Sequence, residues 1–339
     1  MPKIKVGIIN VTGYAGVELA RILSCHPNVT LTSVSGRSAA GKKLSEIFPH
    51  LAELDLTISS ELGEVDIAFS ALPHKESATE VIPLLQKGTR VIDLSADFRL
   101  KDPAQYPAWY GFRHPSPELL NEAVFGLTEL YRSKITSSKL VANPGCYPTG
   151  AILALAPAVK AGLTGNRLII DSKSGVSGAG RSLSLSTHFA EADESVTAYA
   201  LDGHRHLPEI TQELGKLRAD LVEATFVPHL IPMTRGIMTT AYAPLTRQIE
   251  LAELRQLYTE FYKDEPFVRI TPTPPHTKHT WGSNLCLVHP SLDTRTNTLI
   301  AVSAIDNLVK GAAGQAIQNM NVMLGLDERT GLTATAVWP

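Results

Sequence analysis

Apolar and polar positions follow one rhythm over the first 145 residues and another after them. IKVGIIN (4–10), VTLTSVSG (29–36), VDIAFSAL (65–72) and TRVIDLSA (89–96) are short, β-branched, apolar runs that predict strands. Between them GVELARILSCHP (16–27) and SATEVIPLLQKG (77–88) carry apolar residues at helical spacing, the first stopping at Pro27. Alternation of this kind, with strands apolar throughout, predicts a parallel doubly wound α/β sheet. KLVANPG (139–145) predicts its last strand, and the proline- and aromatic-rich KDPAQYPAWYGFRHPSPE (101–118) predicts an ordered loop. In the second half NRLIIDSKSG (166–175), ATFVPHLIP (224–232), GIMTTAYAPL (236–245) and TNTLIAVSAI (296–305) read as long strands, with LAELRQLYTEFYKDE (251–265) as a helix. Long strands with few helices predict an α+β domain on a mostly antiparallel sheet. VKGAAGQAIQNMNVMLGL (309–326) predicts a closing helix that ends at Gly325.

Composition narrows the class. At 339 residues the chain exceeds one average domain, and 44% hydrophobic with 19% charged residues is ordinary for a protein with a sizeable core. A formal charge of −2 supplies no basic surface for nucleic acid, and 6% aromatic residues supply few stacking platforms. Cys25, Cys146 and Cys286 are odd in number and widely spaced. They fit a reducing compartment rather than a disulfide framework or a cysteine zinc site. MPKIKVGIINVTGYAG lacks an h-region and cleavage site and reads as a first strand, and no run approaches the length of a membrane span. A cytoplasmic protein with a small-molecule partner, and neither nucleic acid nor membrane, is expected.

Candidate chemistry begins at GIINVTGYAGVEL. Gly13 and Gly16, with Tyr14 and Ala15 between them, form the G-x-x-G part of a loop that lets backbone approach a pyrophosphate at a helix N-terminus. Asn10 stands where the usual fingerprint has its first glycine, and Asn tolerates left-handed dihedrals better than most residues. A plain tight turn is the bland alternative. The second strand ends SVSGRSAAGKK, with Ser35, Arg37, Ser38, Lys42 and Lys43 but no acid for a ribose 2′-hydroxyl. A cationic, hydroxyl-bearing end suits a 2′-phosphate, so NADP(H) is expected over NAD.

In ANPGCYPTGAIL, Cys146 is expected just before a helix beginning at Pro148, where the positive end of the helix dipole stabilises a thiolate. Such a thiolate is a nucleophile toward acyl groups. Cys25 and Cys286 read as small buried hydrophobes. GHRHLPEI brings His204, Arg205, His206 and Glu209 together at a helix start, where Glu209 is placed to orient His206. No cysteine or acid with metal spacing accompanies the histidines, so no metal is expected. His26, His50, His229, His276 and His289 read as packing or surface residues. SKSGVSGAGRS (172–182) predicts an anion-binding nest of backbone amides near Lys173 and Arg181, or a flexible loop. Arg99 and Arg235 are anion-binding candidates that read equally well as surface charges.

GYAGVELARIL, DLSADFRL, ANPGCYPTGAILAL, SKSGVSGAGR, HRHLPEI, FVPHLIPMTRGI, SNLCLV and AIDNLVKGAAGQAIQNMN together resemble the N-acetyl-gamma-glutamyl-phosphate reductases of arginine biosynthesis, nearly end to end. More broadly, the chain is similar to acyl-phosphate-using aldehyde dehydrogenases. The resemblance implies a Rossmann-type dinucleotide-binding domain over 1–146, completed by the C-terminal helix (about 308–339), and a catalytic and oligomerisation domain over 147–307. It implies NADPH-dependent reduction of N-acetyl-L-glutamyl 5-phosphate to the 5-semialdehyde through a Cys146 thioester, in a homodimer or homotetramer. His206 is favoured as acid/base over His204, with Glu209 behind it. Arg99, Asn143, Ser174 and Arg205 are implied on the substrate. Gly13, Tyr14, Ala15, Gly16, Ser35, Arg37, Ser38, Pro73, Ser177, Gly178 and Asn307 are implied on the cofactor. The chain departs from the family at Asn10 and in a longer WYGFRHPSPELL segment. Aspartyl or aminoadipyl phosphate reductases share the chemistry, and an NADP-sensing binding protein is the rival without catalysis.

Overall fold

The apolar runs of the first half become β1 (Ile4–Ile9), β2 (Val29–Ser35), β3 (Ile67–Ser70), β4 (Arg90–Asp93), β5 (Val124–Phe125) and β6 (Leu140–Ala142). They form a six-stranded sheet ordered β2-β1-β3-β4-β6-β5, parallel throughout. The computed structural model describes residues 3–218 and 222–339. Ile9 pairs with both Ser35 and Ser70, Ser70 with Asp93, and Asp93 with Ala142. The carboxyl ends of five strands therefore share one edge. Strand order reverses beside β1, and such a switch point opens a crevice outside the carboxyl ends.

Two sequence expectations need correction in this unit. The segment expected as a loop over 101–118 contains the helix Gln105–Tyr110 and the start of another, Pro117–Glu122. Tyr106 and Tyr110 are buried in the adjoining core cluster, so tertiary packing overrides the weak local propensity. The edge strand β5 was not anticipated, because two residues carry no alternation.

The unit comprises the chain up to Gly145 together with Ala312–Ala334. Its last helix, Gly314–Met323, is buried on all sides although it is rich in amides. Most of the amide groups are paired internally: Asn319 Nδ2 donates to Gly126 O at 2.7 Å and to Asn143 Oδ1 at 3.0 Å, and Thr128 Oγ1 donates to Asn319 Oδ1 at 2.8 Å, while Gln315 Oε1 is buried without a hydrogen-bond partner among the described residues.

The second unit comprises Cys146–Gly311 and Thr335–Pro339, so the boundary falls one residue before the 147 read from sequence, and the last five residues lie outside the first unit. Its strands are β7 (Arg167–Gly175), β8 (Thr197–Ala198), β9 (Glu223–Ile231), β10 (Ile237–Pro244), β11 (Val268–Ile270), β12 (Cys286–Asp293) and β13 (Thr298–Ile305). They form a seven-stranded sheet ordered β11-β12-β13-β10-β7-β9-β8, with only β7–β9 and β11–β12 parallel. The apolar helix Cys146–Lys160 lies on this sheet, fixed by bonds from Ser303 Oγ to Gly150 O at 2.9 Å and Tyr258 Oη to Ala154 O at 2.8 Å.

Candidate active site

In the first unit, Gly13 N-caps the helix Tyr14–Ser24 directly after β1. Asn10 adopts φ 65°, and its side-chain amide donates to Ala71 O at 2.9 Å, holding the turn against the end of β3. Gly16 is irreplaceable on geometry, since a Cβ there would lie 2.7 Å from Val11 Cα. Gly13 is not, since its nearest neighbour would be Asn10 Nδ2 at 3.5 Å. The glycine cradle and helix N-terminus fit a dinucleotide pyrophosphate. Ser35 ends β2, Arg37 and Ser38 form a 3₁₀ turn after it, and Pro73 follows β3, all beyond the same sheet edge. Arg37 is exposed and paired with Glu80 at 2.6 Å and Glu76 at 3.5 Å, carboxylates that the linear sequence did not place there.

Arg99 and Asn143 stand beyond the ends of β4 and β6. Arg99 is buried, donating Nε to Asn143 O at 2.8 Å and Nη2 to Leu94 O at 2.7 Å. Asn143 is fully buried, with Nδ2 donating to Ala312 O at 3.2 Å. Behind them Asp93 accepts from Ser77 Oγ at 2.6 Å and from Ser95, and burial next to Asp97 pushes its carboxyl up to about 6.

In the second unit, the helix begins at Cys146 itself rather than at Pro148. Pro148 is tolerated in this first turn because the N–H it lacks has no intrahelical acceptor there. Cys146 is half-buried, and its Cβ would lie 2.8 Å from a Cβ built on Gly311. The glycine thus makes room for the stem of Cys146. The three cysteines form no disulfide.

His206 N-caps the helix Leu207–Gly215, with Glu209 fully buried in its first turn and Arg205 exposed before it. The rings of His204 and His206 meet edge to face at 4.8 Å, and each lies within 6 Å of the Tyr147 ring, at 5.7 and 5.9 Å. His204 Nδ1 accepts the backbone N–H of His206 at 3.1 Å, which leaves Nε2 as the protonated nitrogen of the neutral ring. Burial and then the Arg205 charge pull His204 down to about 4, so it is neutral at pH 7.

Tyr199 and Phe226 complete this cage and escaped the sequence reading. Tyr199 Oη lies 3.1 Å from Tyr147 Oη, which also donates to His229 O at 3.3 Å. Phe226 packs 5.4 Å from both Tyr147 and His204. Tyr199 sits five residues before His204 in an exposed stretch without periodicity, so only its proximity to the HRH motif could have signalled it. His229, read as packing or surface, contributes its carbonyl.

Ser174, Ser177, Gly178 and Asn307 also gather in this unit. Asn307 Nδ2 donates to Ser177 Oγ at 2.9 Å, and its Oδ1 accepts from Gly236 N at 2.7 Å. Ser174 Oγ donates to Gly175 O at 3.0 Å and would crowd any Cβ on Gly178. The expected anion-binding nest needs correction: the amides of Gly175, Val176, Ser177 and Gly180 are donated to Gly236, Met233, Thr234 and Ser177 carbonyls. Arg235 pairs with buried Asp306 at 3.5 Å.

Comparisons with known proteins identify the architecture. Residues 5–138 match the family model "Semialdehyde dehydrogenase, NAD binding domain", and residues 146–307 match "Semialdehyde dehydrogenase, dimerisation domain". Aspartate semialdehyde dehydrogenase II from Vibrio cholerae superposes with a TM-score of 0.71 at 15% identity, covering 96% of this chain and 99% of that one. The Candida albicans enzyme, solved with NADP, gives 0.70 at 14% identity, covering 95% and 99%. Fold and site thus define a two-domain semialdehyde dehydrogenase with a half-buried cysteine followed by a tyrosine that packs against paired histidines. A relative from Dehalococcoides mccartyi named N-acetyl-gamma-glutamyl-phosphate reductase is 60% identical over the full length of both chains. One of that name from Desulforamulus reducens is 50% identical over 99% of this chain and all of its own. The chain belongs to the N-acetyl-gamma-glutamyl-phosphate reductase family. Among the described residues no helix is long and apolar enough to cross a membrane.

Proposed function

We propose that this chain reduces N-acetyl-L-glutamyl 5-phosphate to N-acetyl-L-glutamate 5-semialdehyde and phosphate, with NADPH as reductant. The observation that carries the reading is Cys146 at the first position of a buried helix, next to a tyrosine packed against two histidines. The thiolate attacks the acyl carbon, the bond to phosphate breaks, and a thioester remains on Cys146. The nicotinamide cofactor, when held by Gly13, Tyr14, Ala15, Gly16, Ser35, Arg37, Ser38 and Pro73, supplies the hydride that reduces a thioester to the aldehyde level. Ser177, Gly178 and Asn307 are proposed to border its reactive ring.

His206 serves as acid/base, giving a proton to the departing phosphate oxygen, while Glu209 orients it. His204, held neutral, is suited to donating a hydrogen bond from Nε2 rather than to exchanging protons at pH 7. Arg99 and Arg205 supply positive charge for substrate anions, Ser174 a hydroxyl, and Asn143 fixes the turn that leads to the cysteine. The dimerisation-domain match supports an oligomer, proposed as a homodimer or homotetramer in the cytoplasm.

The test is phosphate- or arsenate-dependent reduction of NADP by the purified protein, comparing N-acetylglutamate semialdehyde with its aspartate and aminoadipate counterparts. Turnover on the first, lost by at least about a thousandfold in Cys146→Ser, is expected. Turnover confined to the aspartate compound would overturn the substrate assignment. Unchanged turnover in the variant would overturn the mechanism.

A further inference from the structure

The first unit carries a cleft of about 700 Å³ that the dinucleotide turn does not use. Val124 opens β5 and Leu140 opens β6, so the cleft lies at the amino edge of the sheet, opposite the edge that carries the glycine turn. Its volume falls within the roughly 300–1,000 Å³ usual for small-molecule sites. Its walls are half-buried side chains of Ile82, Leu85 and Leu119, packed against the core cluster of this unit.

The charges around it are arranged by sign. Glu118 and Glu122 are four residues apart on the helix Pro117–Glu122 and share one face. Lys134 and Lys139 belong to a different part of the lining, at the end of the helix Thr128–Thr136 and the start of β6. The Glu122 and Lys139 side chains make no ion pair with any described residue. Glu118 accepts a hydrogen bond from Ser116 Oγ and Lys134 lies over the Tyr131 ring at 5.6 Å, so Glu122 and Lys139 leave one charge of each sign without a partner among the described residues at a partly apolar groove.

We propose that this cleft binds an α-amino acid whose side chain ends in a cation. The methylenes lie on Ile82, Leu85 and Leu119, the carboxylate meets Lys134 and Lys139, and the cationic groups meet Glu118 and Glu122. A plain apolar amino acid leaves the glutamates unmet, and a diamine leaves the lysines unmet.

Titration calorimetry on the full chain tests this with L-lysine, L-norleucine (the same skeleton without its side-chain cation) and 1,5-diaminopentane (the same skeleton without its carboxylate). L-Lysine should bind at least about tenfold more tightly than either analogue, as expected for losing one charge-assisted contact. Glu118→Gln/Glu122→Gln and Lys134→Gln/Lys139→Gln should each weaken L-lysine by about tenfold or more. Their melting temperatures should be unchanged, because all four side chains are exposed. No heat with L-lysine at millimolar concentration, equal binding of either analogue, or wild-type affinity in both double variants would each overturn the proposal.

Discussion

Gly311→Ala isolates the fit around Cys146, the proposed nucleophile. A Cβ at this position would lie 2.8 Å from Cys146 Cβ and 3.3 Å from Asp306 O. The first contact is shorter than carbon atoms tolerate, and Cys146 cannot rotate away from it because Cβ is fixed by the backbone. The chain must shift by several tenths of an ångström at Gly311 or at Cys146. Overpacking of this kind costs about 1–3 kcal/mol, while replacing glycine within a helical stretch returns about 0.5–1 kcal/mol. A net loss of about 1–2 kcal/mol follows, a few degrees in Tm for a chain of this size. Activity should suffer more, since misplacing a reacting group by about 1 Å can cost a hundredfold. The assays are kcat/KM, the rate of iodoacetamide labelling of Cys146, and urea unfolding. Gly215→Ala is the control, because a Cβ there meets nothing within 4 Å. Wild-type kcat and labelling in Gly311→Ala would refute the claim that this glycine makes room for Cys146.

Five further substitutions follow from the same geometry. Gly16→Ala should abolish NADPH binding measured by fluorescence, because its Cβ meets Val11 backbone atoms at 2.7 and 2.9 Å, whereas Gly13→Ala should cost at most about tenfold; equal losses would count against the cradle. His204 has its folded pKa depressed from 6.5 to about 4, so its contribution to stability is complete above pH 6.5 and is lost as pH falls toward 4. Between pH 7.5 and 4.5 that is about 2.5 kcal/mol, and His204→Phe should flatten the urea-derived stability profile by that amount; an unchanged profile would show that this imidazole is not held neutral. Arg37→Ala should weaken NADPH by about tenfold more than NADH in a direct binding titration, and Glu80→Gln should strengthen NADPH by releasing the guanidinium; equal effects on the two cofactors would sink the 2′-phosphate assignment.

Much of the fold was legible because its signals are local. The apolar runs of β1 to β4 needed only their own residues to declare strands, and β7, β9, β10 and β13 declared theirs by length. Asn10 at φ 65° follows from the tolerance of its side chain for that region. What escaped depended on distant partners. The helix Gln105–Tyr110 exists because Tyr106 and Tyr110 find a core, and a single i, i+4 pair among the prolines of 101–118 is too short a pattern to declare it. The apparent nest at 175–180 was cancelled mainly by carbonyls about sixty residues away in the 233–236 turn, which take the amides of Gly175, Val176 and Ser177. Arg37 reads as an unopposed cation until the helix Ser77–Gln86 brings Glu80 to it. Tyr199 joins the cage only because β8 pairs with β9 and sets it across from Tyr147.

The magnitudes also divide the work between the two histidines. An ordinary cysteine, with a pKa near 8.5, is only a few per cent thiolate at pH 7. A helix N-terminus contributes about 0.3–1 kcal/mol to an anion, and up to about 2 in a partly buried setting, a factor of no more than about thirty in the thiol–thiolate equilibrium. A helix dipole alone therefore does not complete the ionisation of a cysteine at a helix N-terminus. A positive neighbour must supply the remainder. His204 cannot do so at neutral pH, since burial and Arg205 hold it uncharged. Under the proposed mechanism His206, at the N-cap of its own helix with Glu209 buried one turn on, carries the proton instead. In that mechanism one ring of the cage donates a hydrogen bond and the other exchanges a proton, a division that rests on the burial and the Arg205 charge that hold His204 neutral.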